Sequence, residues 1–291
     1  MALAILNEGV VRTPAGRRLH YVEQGDPDGF PVFSHHGTPA SGKARHPDAS
    51  VYAGTRVISY DRPGYGDSDP EPGRTVAAAA EHVRALADEL AIGRFAVVGV
   101  SGGGPHALAC AAVLPERVSR CGVMVGAAPS DDPEFDFLRG MSMSNVDEFN
   151  AALEGEDALA RHLAPFAEAA AEDPAAVIEE IIDELPEADR QMFERPEIRD
   201  VFRDSLAAAL RQGTRGWIDD DLAFTKPWGF DLADVRAETR IWQGELDVLV
   251  PRSHGEYLAA RLPNATYEVV PGEGHFLFDH FAPVFGWLAG G

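Results

Sequence analysis

Short runs of apolar, often β-branched residues alternate along much of the chain with longer segments in which apolar residues recur at helical spacing. The runs predict buried strands, and the longer segments predict helices that cover them. Residues 9–13 and 18–23 alternate around a turn and predict an antiparallel hairpin at the sheet edge. The remaining predicted strands are residues 31–34, 56–60, 95–100, 118–125, 239–243 and 266–270, and the predicted helices between and after them are 75–90 (with Thr75 as cap), 107–114, 253–262 and 276–288. Strands that alternate with helices predict an α/β fold, a mainly parallel sheet with helices on both faces.

The pattern changes between residues 130 and 225, where strand signals stop and helical segments with acidic faces follow one another. One segment opens at Asp173-Pro174, a cap residue followed by proline at the first helical position, and is expected to run to about Leu185. Another spans residues 196–212 and stops at Gly213. We therefore predict a core domain of residues 1–129 and 226–291 and a helical cap domain of residues 130–225. In open α/β sheets ligands bind beyond the carboxyl ends of the strands, so the cap is expected there.

Charge and length limit the classes of partner. The chain has 291 residues and a formal net charge of −22 at pH 7. Residues 131–225 alone carry 25 acidic side chains against 8 arginines and no lysine. This balance argues against nucleic acids and anionic membranes, which bind clustered Lys and Arg. No apolar run approaches a bilayer-spanning length and the first residues do not resemble a signal peptide, so a cytoplasmic location is expected.

Gly99-Val100-Ser101-Gly102-Gly103 lies between a predicted buried strand and a predicted helix. That context turns a five-residue pattern into a candidate nucleophile turn, in which the serine adopts strained backbone angles. Side chains at positions 99 and 103 would collide with the neighbouring strand and helix, which explains the glycines. The N-terminus of the following helix would direct free N–H groups toward Ser101.

A serine hydroxyl needs a base, and the base needs a partner that orients it. His275, in a glycine-flanked loop between a strand and a helix, is the predicted base. Asp247, just after the strand at residues 239–243, is the predicted acid. The N–H groups of Gly102, the residue after the nucleophile, and of Thr38, in the loop after residues 31–34, are the predicted oxyanion donors.

With these pieces in order, the chain resembles the α/β-hydrolase superfamily, in the branch of esterases, epoxide hydrolases and dehalogenases that carry a cap. The resemblance covers nearly all of residues 9–290 and rests on five motifs, at residues 36–39, 61–68, 99–103, 244–247 and 274–275. It implies hydrolysis of an ester, lactone, thioester, amide or activated C–C bond without a cofactor. Because the nucleophile is serine and not aspartate, the resemblance does not imply epoxide hydrolase or haloalkane dehalogenase activity.

Other residues are candidates for the same roles. Asp131 or Asp132 is an alternative acid, and His36 an alternative catalytic histidine. His35 and His36 are expected to shape the oxyanion loop, His106 to pack near the sheet, and His254 and His280 to lie at the surface.

Cys110 and Cys121 are expected to be buried thiols, and no residue spacing suggests a metal site. Most aromatic residues of the cap are expected in its core, with Trp217 in the substrate pocket. The acidic face of the cap is read as solvated, or alternatively as a preference for amine-bearing substrates.

The sequence thus predicts a serine hydrolase that acts on a small carboxylic ester or related acyl compound, with no cofactor and no metal. One alternative is an aminopeptidase like the proline iminopeptidases, which anchor a substrate amine with cap carboxylates. Others are a ligand receptor on the same scaffold and a cofactor-free lyase or oxygenase. A small-molecule substrate is the expected partner, and a homodimer is possible on the sequence alone.

Overall fold

One eight-stranded sheet organises the protein. The computed structural model describes residues 6–290. Its strands follow the order β1-β2-β4-β3-β5-β6-β7-β8 across the sheet. The pairs β1–β2 and β2–β4 are antiparallel and the other five are parallel. The strands are β1 Asn7–Arg12, β2 Arg18–Gly25, β3 Phe30–His35, β4 Thr55–Tyr60, β5 Phe95–Val100, β6 Val118–Met124, β7 Glu238–Gly244 and β8 Ala265–Val270.

Helices cover both faces of the sheet and fill the long segment between β6 and β7. Within residues 6–290 the α-helices are α1 Ala79–Glu89, α2 Gly103–Val113, α3 Met143–Glu154, α4 Glu156–Glu172, α5 Pro174–Asp183, α6 Glu187–Met192, α7 Pro196–Ala209, α8 Arg215–Phe224, α9 Arg252–Arg261 and α10 Phe281–Ala289. Each of these helices is too short or too polar to cross a bilayer. Helices α3 to α8 all fall within residues 130–225, which we call the helical insert.

Strand β5 shows why the sheet needs cover on both sides. Its residues alternate between two apolar clusters: Phe95 and Val97 pack with α1, α2 and α9, whereas Ala96 and Val98 pack with α10. All four side chains are buried. A strand whose two faces are both buried has a continuous apolar run, which confirms the predicted α/β architecture.

The chain reverses its direction across the sheet between β3 and β5. The connection from β3 leads outward to β4, and the connection from β5 leads the opposite way to β6. The loops that leave the carboxyl ends of β3 and β5 therefore separate and open a crevice, the usual place for a ligand in an open α/β sheet. This topology brings the loop containing Thr38 next to the turn containing Ser101.

The predicted starts of the first and the last α-helix are wrong in detail. Thr75 makes no side-chain capping hydrogen bond; residues 76–78 form a 3₁₀ turn before α1 begins at Ala79. The last helix begins at Phe281 rather than Phe276, after a separate 3₁₀ turn at residues 278–280. In contrast, the predicted cap of α5 is confirmed: the Asp173 carboxylate accepts hydrogen bonds from the N–H groups of Ala175 and Ala176. A carboxylate cap can be predicted because it acts within one turn of the chain.

The helical insert has its own apolar packing. Leu159 and Leu163 of α4 pack against Trp217 and Ile218 of α8, and this cluster also includes Tyr65 from a loop after β4. A second cluster joins α5 and α7 around the fully buried Phe193. Because Tyr65 belongs to the sheet's own loops, the insert is attached to the sheet through apolar contacts as well as through the chain.

Candidate active site

Ser101 sits on a strained turn at the end of β5. Its φ is +54°, a left-handed conformation that side-chain-bearing residues rarely adopt. A Cβ at Gly99 would overlap the backbone of Gly103 and lie 2.6 Å from the Gly104 nitrogen, and one at Gly103 would lie 2.8 Å from the His36 carbonyl oxygen. Both glycines are therefore required by close backbone approach, as the sequence predicts.

Helix α2 begins immediately after Ser101. The sequence places its start at Ala107, but the structure starts the helix at Gly103. Glycines have low intrinsic helix propensity, so the first turn is visible only when the packing that requires them is known. Among the described residues, the N–H of Gly102 donates to no protein atom. This free donor, at the positive end of the helix dipole, lies next to the serine.

The loop after β3 passes beside the serine. A Cβ at Gly37 would lie 3.5 Å from the Cβ of Ser101. Arg62 holds this loop: its guanidinium donates to the carbonyl oxygens of His36 and, at 2.9 Å, of Gly37. In a trans peptide the C=O and the next N–H point in opposite directions, so holding the Gly37 carbonyl orients the N–H of Thr38 away from Arg62. Within residues 6–290 that N–H has no protein acceptor.

A buried carboxylate from the helical insert holds this arrangement in place. Asp220 of α8 accepts hydrogen bonds from Arg62 at 2.6 Å, Arg74 at 2.7 Å, Tyr65 at 2.9 Å and the Thr38 hydroxyl at 2.9 Å. Burial alone would raise the pKa of Asp220, but the two arginines hold it well below its usual range. Asp220 is completely buried. The insert therefore supports the loop that contains Thr38 through an ion pair that sequence reasoning missed.

His275 and Asp247 are joined directly. The His275 Nδ1 lies 2.9 Å from Asp247 Oδ2. The other Asp247 oxygen accepts from the N–H groups of Leu249 and Val250, both at 2.9 Å, which fixes the carboxylate. Burial by itself lowers the pKa of His275, but attraction to Asp247, their hydrogen bond and the charge of Asp189 together raise it above 6.5.

The loop that carries His275 is held by a second carboxylate of the helical insert. Asp189 of α6 accepts from the N–H groups of His275 and Phe276, each at 2.9 Å. A Cβ at Gly274 would collide with the Asp189 carboxylate, so the glycine permits this contact. Burial raises the pKa of Asp189, while the two N–H groups act against that rise. Nothing in the sequence distinguished Asp189 from the other acids around it.

A cavity of about 450 Å³ joins these groups, a volume typical of small-molecule sites. Ser101, His275, Thr38, Gly102 and Trp217 line it, so all the predicted site residues except Asp247 reach the same space. Asp247 is 5% exposed and lies behind His275, which does line the cavity. Among the described residues no hydrogen bond links Ser101 Oγ to the His275 ring, a contact that in many enzymes tightens only when substrate binds.

The alternative acids lie elsewhere. Asp132 accepts hydrogen bonds from Tyr257 and from Arg261, both at 2.8 Å, and Asp131 is exposed. Neither lines the cavity. Of the three candidate acids, Asp247 alone contacts His275.

The remaining histidines have structural contacts. His36 Nδ1 lies 2.7 Å from the Gly37 carbonyl oxygen, and His106 Nδ1 lies 2.8 Å from that of Gly102. The expectation of a surface position for His254 is wrong: its side chain is completely buried, and its ring bridges the Ala128 N–H and the Phe137 carbonyl. The face of α9 that packs inward is decided by tertiary structure, so the orientation of His254 could not be predicted from the sequence. His280 is half-buried in the 3₁₀ turn.

Cys110 and Cys121 are buried free thiols, as predicted. Tertiary structure also gathers His20, Asp61 and Asp67, whose ligand-type atoms lie within 4.8 Å of one another. Both Asp61 oxygens are already used: Oδ1 accepts from the Gly42 N–H at 2.7 Å, and Oδ2 is 2.9 Å from His20 Nδ1. We assign this group to the turn after β4, which it ties to β2.

The expectation that the insert's acids form a solvated face is wrong for four of them. Asp189, Asp219, Asp220 and Asp221 are each at most 2% exposed. Three of these are consecutive in the middle of α8, and this run of three acids within one helix is the sequence signal that marks them. The packing of the helical insert buries them in spite of the usual preference of carboxylates for water.

Comparison with known proteins agrees with this fold. A family model described as "alpha/beta hydrolase fold" matches residues 31–281. The 2-hydroxymuconate semialdehyde hydrolase of Pseudomonas putida is 31% identical over 272 residues, covering 90% of this chain and 85% of that protein. The non-heme chloroperoxidase of Streptomyces lividans is 36% identical over 153 residues, about half of each chain: 50% of this one and 54% of that one.

A solved structure extends the likeness to the whole fold. The crystal structure of a hydrolase from Pseudomonas aeruginosa PA01 superimposes with a TM-score of 0.70 at 22% identity, covering 97% of each chain. The family match agrees with the strand order and with the turn at Ser101. The chain belongs to the α/β-hydrolase fold family.

Proposed function

We propose that this protein is a serine hydrolase that cleaves small carboxylic esters through Ser101, His275 and Asp247. The observation that carries the proposal is the 2.9 Å contact of His275 Nδ1 with Asp247, on a cavity whose wall also includes the strained Ser101. A base oriented by a carboxylate beside a positive-φ serine is the arrangement that nucleophilic acyl transfer requires.

The first step forms an acyl-enzyme. His275 Nε2 accepts the proton of Ser101 as Oγ attacks the ester carbonyl carbon, and the carbonyl π electrons move to oxygen. The resulting oxyanion accepts hydrogen bonds from the N–H groups of Thr38 and Gly102. When the C–O bond to the alcohol breaks, His275 returns its proton to the leaving oxygen. Water then repeats the sequence on the acyl-enzyme, releasing the carboxylic acid and restoring Ser101.

The helical insert acts in this proposal as a cap. Phe149 of α3, Phe166 of α4, Phe202 of α7 and Trp217 of α8 line the cavity together with Ser101. These aromatic residues supply apolar surface for an acyl or alcohol group and exclude water from the developing charge.

The cavity's charges favour an ester over an anionic substrate. One relative is a hydrolase named for a muconate, which is a carboxylate. In this chain the cavity lining includes four acids, Glu148, Glu180, Glu184 and Asp221, and one arginine, Arg45. A carboxylate-bearing substrate would meet like charges there, so we place this chain's preference with neutral or cationic acyl compounds.

The test is Ser101→Ala assayed with p-nitrophenyl acetate. Removing the nucleophile should lower kcat by at least about 10³-fold. A fluorophosphonate should label the wild-type protein at Ser101 and leave the variant unlabelled. Circular dichroism and thermal unfolding of both proteins serve as the fold control.

Each outcome has a distinct meaning. Full activity in a folded Ser101→Ala variant would overturn the proposal. A single slow burst in the wild-type protein, equal to the protein concentration and without turnover, would replace it with a ligand receptor. An ester chain-length panel then defines the acyl group.

A further inference from the structure

A buried glutamine lies beside the proposed acid and has no part in the acyl transfer as written above. Gln243 is the next-to-last residue of β7, and its side chain is completely buried. It shares a face of the strand with Ile241, whose apolar cluster includes Leu258 of α9. A polar side chain that is fully buried among apolar neighbours needs hydrogen-bond partners, so its contacts indicate its role.

Both hydrogens of the Gln243 amide are used at the turn that holds Asp247. The Nε2 atom donates to Asp247 Oδ2 at 3.0 Å and to the Val250 carbonyl oxygen at 2.8 Å. Oδ2 is the same oxygen that lies 2.9 Å from His275 Nδ1. Because the Val250 N–H donates to Asp247 Oδ1, the amide closes a hydrogen-bonded ring around the carboxylate.

This ring fixes the orientation of the carboxylate. The two backbone N–H groups of Leu249 and Val250 anchor Oδ1 alone, and they would leave Oδ2 free to turn out of line with His275. The Gln243 amide anchors Oδ2 from a strand of the sheet. The direction of Oδ2 matters, since it keeps the His275 proton on Nδ1 and leaves Nε2 free to accept one.

The carbonyl oxygen of the same amide indicates that donors are what this position requires. Gln243 Oε1 has no hydrogen-bond partner in the part of the chain that the structure describes. Turning the amide over would place Oε1 against two acceptors, Asp247 Oδ2 and the Val250 carbonyl, so only one orientation fits. An unsatisfied buried carbonyl is unfavourable, and an apolar side chain of the same length would avoid it. Stability of the fold therefore does not explain a glutamine here.

We propose that Gln243 is a positioning residue for the acyl transfer, which acts on His275 through Asp247. The inference rests on the proposed function and deepens it by adding a fourth side chain to the group that prepares Ser101. When His275 accepts the serine proton, its positive charge is balanced by Asp247. The Gln243 amide keeps Oδ2 in place at that moment and stabilises its negative charge through a charge-assisted hydrogen bond.

The first variant is Gln243→Met, which removes both donors and keeps the length of the side chain. With p-nitrophenyl acetate we expect kcat to fall by about tenfold to a hundredfold, the value of one hydrogen bond to a charged group. KM should change little, because Gln243 does not line the cavity.

Thr239→Val is the matched control. Thr239 lies on the same strand, is 1% exposed and donates its hydroxyl to the Ala237 carbonyl at 3.0 Å. The substitution thus also removes a buried hydrogen bond from β7, but about 13 Å along the strand from Gln243. Its kcat and KM should stay near the wild-type values.

A double variant tests whether Gln243 acts through the acid. Residues that work as one unit give strongly non-additive losses. Asp247→Asn already removes the carboxylate that Gln243 holds, so adding Gln243→Met should change kcat by less than about threefold. Multiplication of the two separate losses would overturn the proposal and leave Gln243 with a structural role only.

An NMR titration of His275 gives a readout that needs no turnover. Gln243→Glu keeps the shape of the side chain and places a second carboxyl group no more than about 6 Å from His275 Nδ1, because both side chains lie about 3 Å from Asp247 Oδ2. Burial lowers the pKa of His275, but Asp247 and Asp189 hold it above 6.5. A further negative charge favours the imidazolium, so the midpoint should rise. His254 on α9 also feels Asp247, but burial lowers its pKa to about 4, which keeps the two titrations apart.

Each result decides the proposal. Unchanged kcat in a folded Gln243→Met variant, or an unchanged or lower His275 midpoint in Gln243→Glu, would overturn the positioning role. Thermal unfolding checks every variant, and if Gln243→Met does not fold, the titration decides alone. If the wild-type protein hydrolyses no ester, the acyl transfer fails instead, and a raised midpoint still supports the action of Gln243 on His275 through Asp247.

Discussion

The parallel sheet and the helical insert contribute to the candidate site in different ways. The sheet supplies every group proposed to react: Ser101 follows β5, Asp247 follows β7, and His275 follows β8. The insert supplies carboxylates that touch these groups or their loops. Asp189 holds the loop of His275, and Asp220 holds the loop of Thr38 through Arg62.

The two regions therefore differ in how much of their role can be predicted from the sequence. A reacting group at the carboxyl end of a parallel strand can be located from a short local pattern, because the sheet itself brings strand ends together. A carboxylate on an insert helix acts on a residue far away in the chain, so its role depends on how the insert docks. The 25 acids of residues 131–225 look alike in sequence, yet four of them are buried, and two of these, Asp189 and Asp220, hold the loops of His275 and Thr38.

The largest effect should come from the sheet's own acid. In Asp247→Asn the amide can donate to His275 Nδ1, which leaves the ring with its proton on Nε2, where it cannot accept one from Ser101. We expect kcat to fall by about 10³–10⁴-fold. The matched control is Asp132→Asn, the alternative acid paired with Arg261, which should keep nearly full activity. The reverse result would assign the acid to Asp132.

The pH profile of the wild-type protein sharpens that test. His275 must be neutral to accept a proton, and its pKa is raised above 6.5 by Asp247 and Asp189 against the effect of burial. The value of kcat/KM should therefore fall as pH decreases through a midpoint above 6.5. A profile that is flat from pH 5 to 8 would exclude His275 as the base.

A smaller effect on rate and a larger one on stability should come from Asp220→Asn in the insert. Weakening a fully buried ion pair with Arg62 and Arg74 should cost about 3–5 kcal/mol in the free energy of unfolding. Because the Thr38 N–H loses its support, kcat should also fall by about tenfold to a hundredfold with little change in KM. Asp204→Asn, whose exposed carboxylate pairs with Arg203, is the control and should change neither quantity appreciably. Loss of stability without loss of kcat in the folded fraction would limit Asp220 to a structural role.

The smallest effect should come from Asp189→Asn. The amide still accepts one of the two N–H groups at His275 and Phe276, so we expect a loss of kcat of about threefold to tenfold. The charge of Asp189 raises the pKa of His275, so its removal should move the acid limb of the profile to lower pH. A purely structural carboxylate would leave that limb unmoved.

The fold could be predicted from the sequence wherever burial produces a periodic pattern of apolar residues. Strand β5 was visible because both its faces are buried, and α5 because Asp173 caps it within one turn. The start of α2 was missed, since Gly103 and Gly104 have little helix propensity of their own and are helical because of what packs against them. The prediction of a surface position for His254 was wrong for a similar reason, because the side of α9 that faces Ala128 depends on tertiary packing.

The sequence by itself determined the α/β architecture and the order Ser101, Asp247, His275, because the apolar periods and strand-end motifs are local properties. Only the tertiary structure decided which carboxylates of the insert are buried and which of them support the loops of Thr38 and His275. The physical reason is that a charge acts through its distance to other charges and its access to water. Both of these are set by how distant segments pack and not by neighbours along the chain.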